Sequence, residues 1–120
     1  MPRILLADDD AAMRSFLTAA LERAKHEVLS CEDGLKALEK LKTDAPFDLL
    51  LTDIVMPGMD GVELSKMAKT LYPDIKILFI TGFSAIAAEQ SASPDNDARV
   101  MSKPFHLIEL IRQVNAILER

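Results

Sequence analysis

The 120-residue chain has one cysteine, Cys31, so it can close no disulfide within itself and can build no cysteine-based metal cluster. The plain expectation for Cys31 is a small buried residue, not a catalytic thiol. Positive charge is not in surplus either. Fourteen Lys and Arg against nineteen Asp and Glu leave a net charge of −5, which argues against the basic face that a nucleic-acid partner requires. No apolar run approaches the roughly 20 residues of a membrane span. The opening "MPRILLADDD" carries one basic residue and a short apolar run broken by acids, so it is neither a signal peptide nor a membrane anchor. A cytoplasmic, reducing setting without membrane insertion is therefore expected. No block of like charge is long enough to form a tail. No glycine-rich phosphate loop opens the first helical segment, which argues against a nucleotide binder.

What is present is alternation. Five short apolar runs, "RILLA" (3–7), "EVLSC" (27–31), "FDLLLT" (47–52), "KILFIT" (76–81) and "ARVMS" (98–102), are separated by stretches of helical period. Met13, Phe16, Leu17, Ala20, Leu21 and Ala24 mark the first helix; Leu35, Leu38 and Leu41 mark a shorter second one. Leu64, Met67, Ala68 and Leu71 mark a third, and Leu107, Leu110, Ile111, Val114 and Leu118 the last. Asp10 stands where an N-cap belongs, and Asp60 with Glu63 has the spacing of a capping box. In the fourth unit "SAIAAEQ" has room for two helical turns, but "SASPDND" after it is a loop. Three of the runs are nearly continuously apolar, as parallel strands covered on both faces are. The expectation is a three-layer α/β domain over residues 1–120, with a five-stranded parallel sheet.

Ligands of open parallel sheets bind beyond the carboxyl ends of the strands. Those positions hold Asp8, Asp9 and Asp10 after the first run, Asp53 after the third, Thr81 at the end of the fourth and Lys103 after the fifth. In "LLLTDIVMPGMDG" (49–61) an apolar strand delivers Asp53 straight into a proline- and glycine-containing turn. Clustered carboxylates repel, and a hard divalent cation resolves the conflict. A hydroxyl and an ammonium opposite them suit a phosphoryl group. Carboxylates also serve as nucleophiles that form aspartyl-phosphates. Together these residues describe a metal-assisted phosphoryl acceptor with Asp53 as its best-placed nucleophile.

"LLADDD", "LLLTDIVMPGMDG", "FITG" and "SKPF" stand in the order and spacing of the response-regulator receiver domain, which the chain resembles from Ile4 to Leu118. The resemblance implies a flavodoxin-like (βα)5 fold with strand order 2-1-3-4-5. It implies that Asp53 is the phosphorylated residue and that Mg²⁺ is bound by Asp9, Asp53 and the backbone carbonyl of Val55, with Asp8 acting through water. Thr81 would then hydrogen-bond the phosphoryl group, Lys103 would pair with it, and the bond before Pro104 would be cis. The donor would be a histidine kinase or a histidine phosphotransfer protein. The protein would be no enzyme beyond catalysing its own phosphorylation and dephosphorylation. Among stand-alone receivers the pattern is similar to adaptors of the ClpXP protease, which implies the ClpX unfoldase as a target.

Several residues have plainer readings. Asp10 and Asp60 are accounted for as helix caps and Gly61 as part of a turn. His26 and His106 are expected at the surface, and the scattered methionines as core filling, with Met56 packed in the loop after Asp53. Two features depart from the family. Val100 stands where many receivers carry an aromatic switch residue, so the signal must leave by another route. The loop around Pro94 replaces much of the usual fourth helix. The chain ends shortly after its last helical pattern, and no output domain is expected. A haloacid-dehalogenase-type phosphatase, with Asp8 as nucleophile, would need an acidic pair after Lys103, and only Glu109 and Glu119 follow it. A receiver-fold module that binds without phosphate is the other alternative.

Overall fold

The computed structural model describes residues 1–81, 98–102 and 106–119, and in it the apolar runs pair as one parallel sheet. The strands are β1 (Arg3–Ala7), β2 (Glu27–Cys31), β3 (Leu49–Asp53), β4 (Lys76–Thr81) and β5 (Ala98–Ser102). Their order is β2-β1-β3-β4-β5, as expected. The helices are α1 (Ala11–Arg23), α2 (Gly34–Thr43), α3 (Gly61–Leu71) and α4 (Leu107–Leu118). The "SAIAAEQ" and "SASPDND" segments lie outside the described residues.

Side chains of a strand alternate between faces, so a sheet covered on both sides needs apolar residues at every position. β1 and β3 meet that demand over residues 4–7 and 49–51. Leu5, Ala7 and Leu50 pack on one side with Ala37 and Leu41 of α2 and Leu64 and Ala68 of α3. Ile4, Leu6, Leu49 and Leu51 pack on the other with Leu17 and Leu21 of α1 and Leu110, Val114 and Ile117 of α4. Each fully buried leucine contributes roughly 1.5–3 kcal/mol relative to exposure.

The helical stripes are narrower than the periodicity suggests. Phe16 is exposed, because at 100° per residue it falls about 100° from Leu17, at the margin of the buried stripe of α1. Leu35 is exposed for the same reason, lying well round α2 from Ala37 and Leu41. Leu71, the last residue of α3, is 40% exposed. Ile117 is buried although it was not among the residues that marked the last helix.

Caps fix where the helices begin. Asp10 accepts from the amides of Ala12 and Met13 at 3.0 and 3.2 Å, and Asp60 accepts from that of Glu63 at 2.8 Å. Asp33 caps α2 by accepting from Lys36 N at 2.8 Å. Each such cap is worth about 1 kcal/mol.

The expected surface position of His26 is corrected. His26 is buried, and its Nε2 lies 2.8 Å from Oδ1 of Asn115 on α4. It follows Lys25, whose φ of 75° lies in the left-handed region between α1 and β2. His106 is exposed at the N-cap of α4 and makes no side-chain capping bond. Met56 is buried, as expected. At the amino-terminal edge of the sheet Arg3 ties three segments together. Its Nε meets Glu27 at 2.6 Å, its Nη1 donates to the carbonyls of Asp44 and Pro46, and its guanidinium lies over the Phe47 ring. The Ala45–Pro46 bond is cis.

Cys31 is buried at the end of β2. Burial raises its thiol pKa from the usual 9.0; Lys40 opposes the shift, Asp33 adds to it and Arg14 opposes it. A raised folded-state value favours the protonated thiol in the native protein. The stabilisation is fully present below 9.0 and is lost as pH rises from there through the folded value. Native Cys31 is therefore expected to react with iodoacetamide at pH 7.5 at least tenfold more slowly than in urea. Equal rates would contradict both its burial and the shift.

Candidate metal and phosphoryl site

β1 and β3 are adjacent, and their register pairs Ala7 with Thr52. The residue that follows each of these in the chain is an aspartate. Asp8 and Asp53 therefore emerge side by side at the carboxyl edge, although 45 positions separate them in sequence. Asp53 is the last residue of β3, which starts two residues later and ends one residue later than the expected 47–52. Asp53 thus belongs to the strand instead of following it, and sheet pairing holds its backbone opposite Ile80.

One carboxylate oxygen from each of Asp8, Asp9 and Asp53 lies within 4.8 Å of the others. Asp8 and Asp53 are buried, and Asp9 is exposed. Two like charges at that separation repel by about 3 kcal/mol at an effective dielectric constant of 20. Backbone amides hold the carboxylates in place. Asp10 N donates to Asp8 Oδ1 at 2.9 Å, and Val55 N donates to Asp53 Oδ1 at 3.3 Å. Arg14 of α1 donates from Nη1 to the Asp8 carbonyl at 2.8 Å, bracing the turn that carries Asp8 and Asp9.

The donor set fits a small hard cation. Octahedral Mg²⁺ binds oxygens at 2.0–2.1 Å, so opposite ligands stand about 4 Å apart, close to the 4.8 Å bound. A set near that limit suits direct coordination by part of the trio with a bridging water to the rest. Asp10 is absorbed by its cap, as expected.

Thr81 ends β4, opposite Ser102 of β5, which brings its backbone to the same edge. Lys103 and Pro104, with the expected cis bond, lie outside the described residues; Lys103 directly follows the last residue of β5. Val55 is 54% exposed in the turn after Asp53. Val100, in the position without an aromatic, is 37% exposed on β5.

The glycines of this turn were only partly legible. Gly58 has φ of 76° and is the residue that needs left-handed backbone. Gly61 is not a turn residue but the first residue of α3. A Cβ there would stand 2.0 Å from the Asp53 carbonyl oxygen, so α3 begins flush against the end of β3. No local pattern marks such a contact, because it depends on where β3 ends in space.

A doubly wound parallel sheet with an acidic trio at its carboxyl edge is the architecture of a receiver-type domain, and comparison with known proteins gives the same class. The model of the response regulator receiver domain matches residues 4–115, and the chain belongs to that family of two-component signalling proteins. It is 51% identical over 118 residues to the response regulator receiver protein CpdR of Brucella abortus (strain 2308), covering 98% of both chains. It is 33% identical to the response regulator MprA of Mycobacterium ulcerans (strain Agy99), covering 98% of this chain but 50% of that one. Among solved structures, a response regulator receiver protein from Sinorhizobium medicae WSM419 superposes with a TM-score of 0.89 at 32% identity, covering 98% of this chain and 94% of that one. The chemotaxis protein CheY4 of Vibrio cholerae superposes at 0.87 with 28% identity, covering 98% of each. Among the described residues, no helix is long and apolar enough to cross a membrane.

Proposed function

We propose that the protein is a stand-alone response regulator in which Asp53 accepts a phosphoryl group and the product biases a docking surface. The observation that carries this reading is the convergence of the Asp8, Asp9 and Asp53 carboxylates at the carboxyl edge of the sheet. The near-complete match to CpdR supports the stand-alone assignment. A carboxylate oxygen of Asp53 attacks the phosphorus of a phosphohistidine on a histidine kinase or phosphotransfer protein. The new O–P bond forms as the N–P bond breaks, and the imidazole nitrogen leaves with the electron pair. Water later attacks the same phosphorus, releases inorganic phosphate and restores the carboxylate.

Asp9, Asp53 and the Val55 carbonyl would hold Mg²⁺, with Asp8 bound through water, and the cation would offset the charge of the phosphoryl oxygens. Thr81 would hydrogen-bond the transferred group and Lys103 would pair with it. Packing and electrostatic changes at the site then shift a two-state surface. The likeness to CpdR makes the ClpX unfoldase the target to test first.

The deciding experiment is an intact-mass spectrum after incubation with acetyl phosphate and Mg²⁺, with a chelator control and Asp53→Ala. One added phosphoryl group is expected, dependent on Mg²⁺ and absent in the variant. An unlabelled wild type, under conditions that label a reference receiver, would put the phosphate-independent binding module first. Labelling that survives Asp53→Ala but not Asp8→Ala would replace the assignment with the phosphatase-like one.

A further inference from the structure

We propose that the state of Asp53 is transmitted to the first turn of α2 through the loop between β3 and α3, making α2 the moving element of the switch. The inference rests on the function proposed above and names the route by which that site is read. With Val100 in place of an aromatic on β5, the question of another route is open on this chain, and the structure offers one in packed backbone.

The loop begins at the site. Its second residue, Val55, donates its amide to Asp53 Oδ1 at 3.3 Å. An Asp53 oxygen that becomes esterified to phosphorus changes in charge and in acceptor strength, so this bond responds to phosphorylation directly. The loop's two ends are fixed, with Ile54 N donating to the Ile80 carbonyl and Gly61 N to the Ile54 carbonyl at 3.1 and 2.8 Å. Gly61 also leaves no space between α3 and the Asp53 carbonyl. A change at Val55 is therefore directed into the middle of the loop, 56–59, and not into its ends.

The middle of the loop presses on α2. A Cβ on Gly34, the first residue of α2, would stand 2.4 Å from the Met59 carbonyl oxygen and 3.0 Å from its Cβ. The helix start and the loop are thus in backbone contact with no side chain between them. Beside this contact, Leu35 Cδ1 lies 3.8 Å from where a Cβ of Gly58 would be. Close-packed backbone transmits displacement instead of absorbing it. The pair that moves carries two exposed apolar side chains, Leu35 at 59% and Val55 at 54% exposure, so its movement changes what the surface presents.

The test combines methyl NMR of leucine-labelled protein with intact mass, using acetyl phosphate and Mg²⁺. The Leu35 methyl resonances are expected to shift in proportion to the phosphorylated fraction, while those of Leu71, at the far end of α3, stay in place. Gly34→Ala, which forces α2 off Met59, is expected to take up the phosphoryl group while the Leu35 response is lost. A phosphorylated wild type with unmoved Leu35 methyls would overturn the route and leave the phosphoacceptor function standing. Absence of any added mass would overturn the function itself. A phosphorylated Gly34→Ala whose Leu35 responds as in wild type would overturn the backbone contact as the link. The wild-type measurement decides alone if the variant does not fold.

Discussion

Gly61→Ala is expected to destabilise the protein by about 3 kcal/mol, the upper part of the usual range for overpacking a buried site. The reason is specific. The added methyl would stand 2.0 Å from the Asp53 carbonyl oxygen, 2.9 Å from its carbon and 3.0 Å from Ile54 Cα, all of them backbone atoms. A flexible side chain can swing away from a clash, but the end of a central strand cannot. α3 must shift as a body, loosening Leu64 and Ala68 from the core and straining the bond from Gly61 N to the Ile54 carbonyl. Against a total stability of roughly 5–15 kcal/mol this is a large fraction. Urea unfolding at fixed Mg²⁺ measures it, and a change below about 0.5 kcal/mol would mean that α3 is not seated as described. Because the clash falls on Asp53 itself, slower acceptance of the phosphoryl group is expected with the lower stability.

The second large effect is stabilisation by Mg²⁺. A cation that binds only the folded protein stabilises it by RT ln(1 + [L]/Kd), about 1.4 kcal/mol at ten times the dissociation constant. For a domain of this size that raises Tm by roughly 5 °C. Three carboxylates within 4.8 Å repel one another, and a bound cation would relieve that repulsion only while the trio is intact. Asp53→Asn and Asp8→Asn are each expected to remove most of the Mg²⁺-dependent rise, whereas Asp10→Asn keeps it, because Asp10 is engaged in capping α1. An Asp8→Asn variant that keeps the full rise would take Asp8 out of the metal site. Potassium chloride at matched ionic strength separates specific binding from screening.

Much of the fold follows from local rules. The runs of β1, β2, β4 and β5 have the bounds that composition suggests, and β1 and β4 are nearly continuously apolar as strands covered on both faces are. Asp10 and Asp60 announced their helices because capping is a contact across three residues. β3 starts two residues later and ends one residue later than its apolar run because "FDLLLT" and "LLLTD" are equally good strands locally, and pairing with β1 and β4 selects the second. The exposure of Phe16 and Leu35 was not legible, because a periodic pattern identifies a helix before it identifies how wide a stripe its neighbours cover. His26 shows the same limit. Nothing near it in sequence requires burial, and its partner Asn115 is 89 positions away.

Chain order by itself determined that four of the five strands lead into polar or charged groups: Asp8 and Asp9 after β1, Asp53 at β3, Thr81 at β4 and Lys103 after β5. It did so because strands, caps and turns depend on neighbours a few residues apart. Tertiary structure alone decided that these ends meet. The order β2-β1-β3-β4-β5 sets β1 beside β3, and their register puts Asp8 level with Asp53. The same packing decided why Gly34 and Gly61 are glycines, since each is pressed against backbone from the segment 53–59. Those contacts arise only when helices come to rest on a particular strand end, and no local pattern encodes that distance.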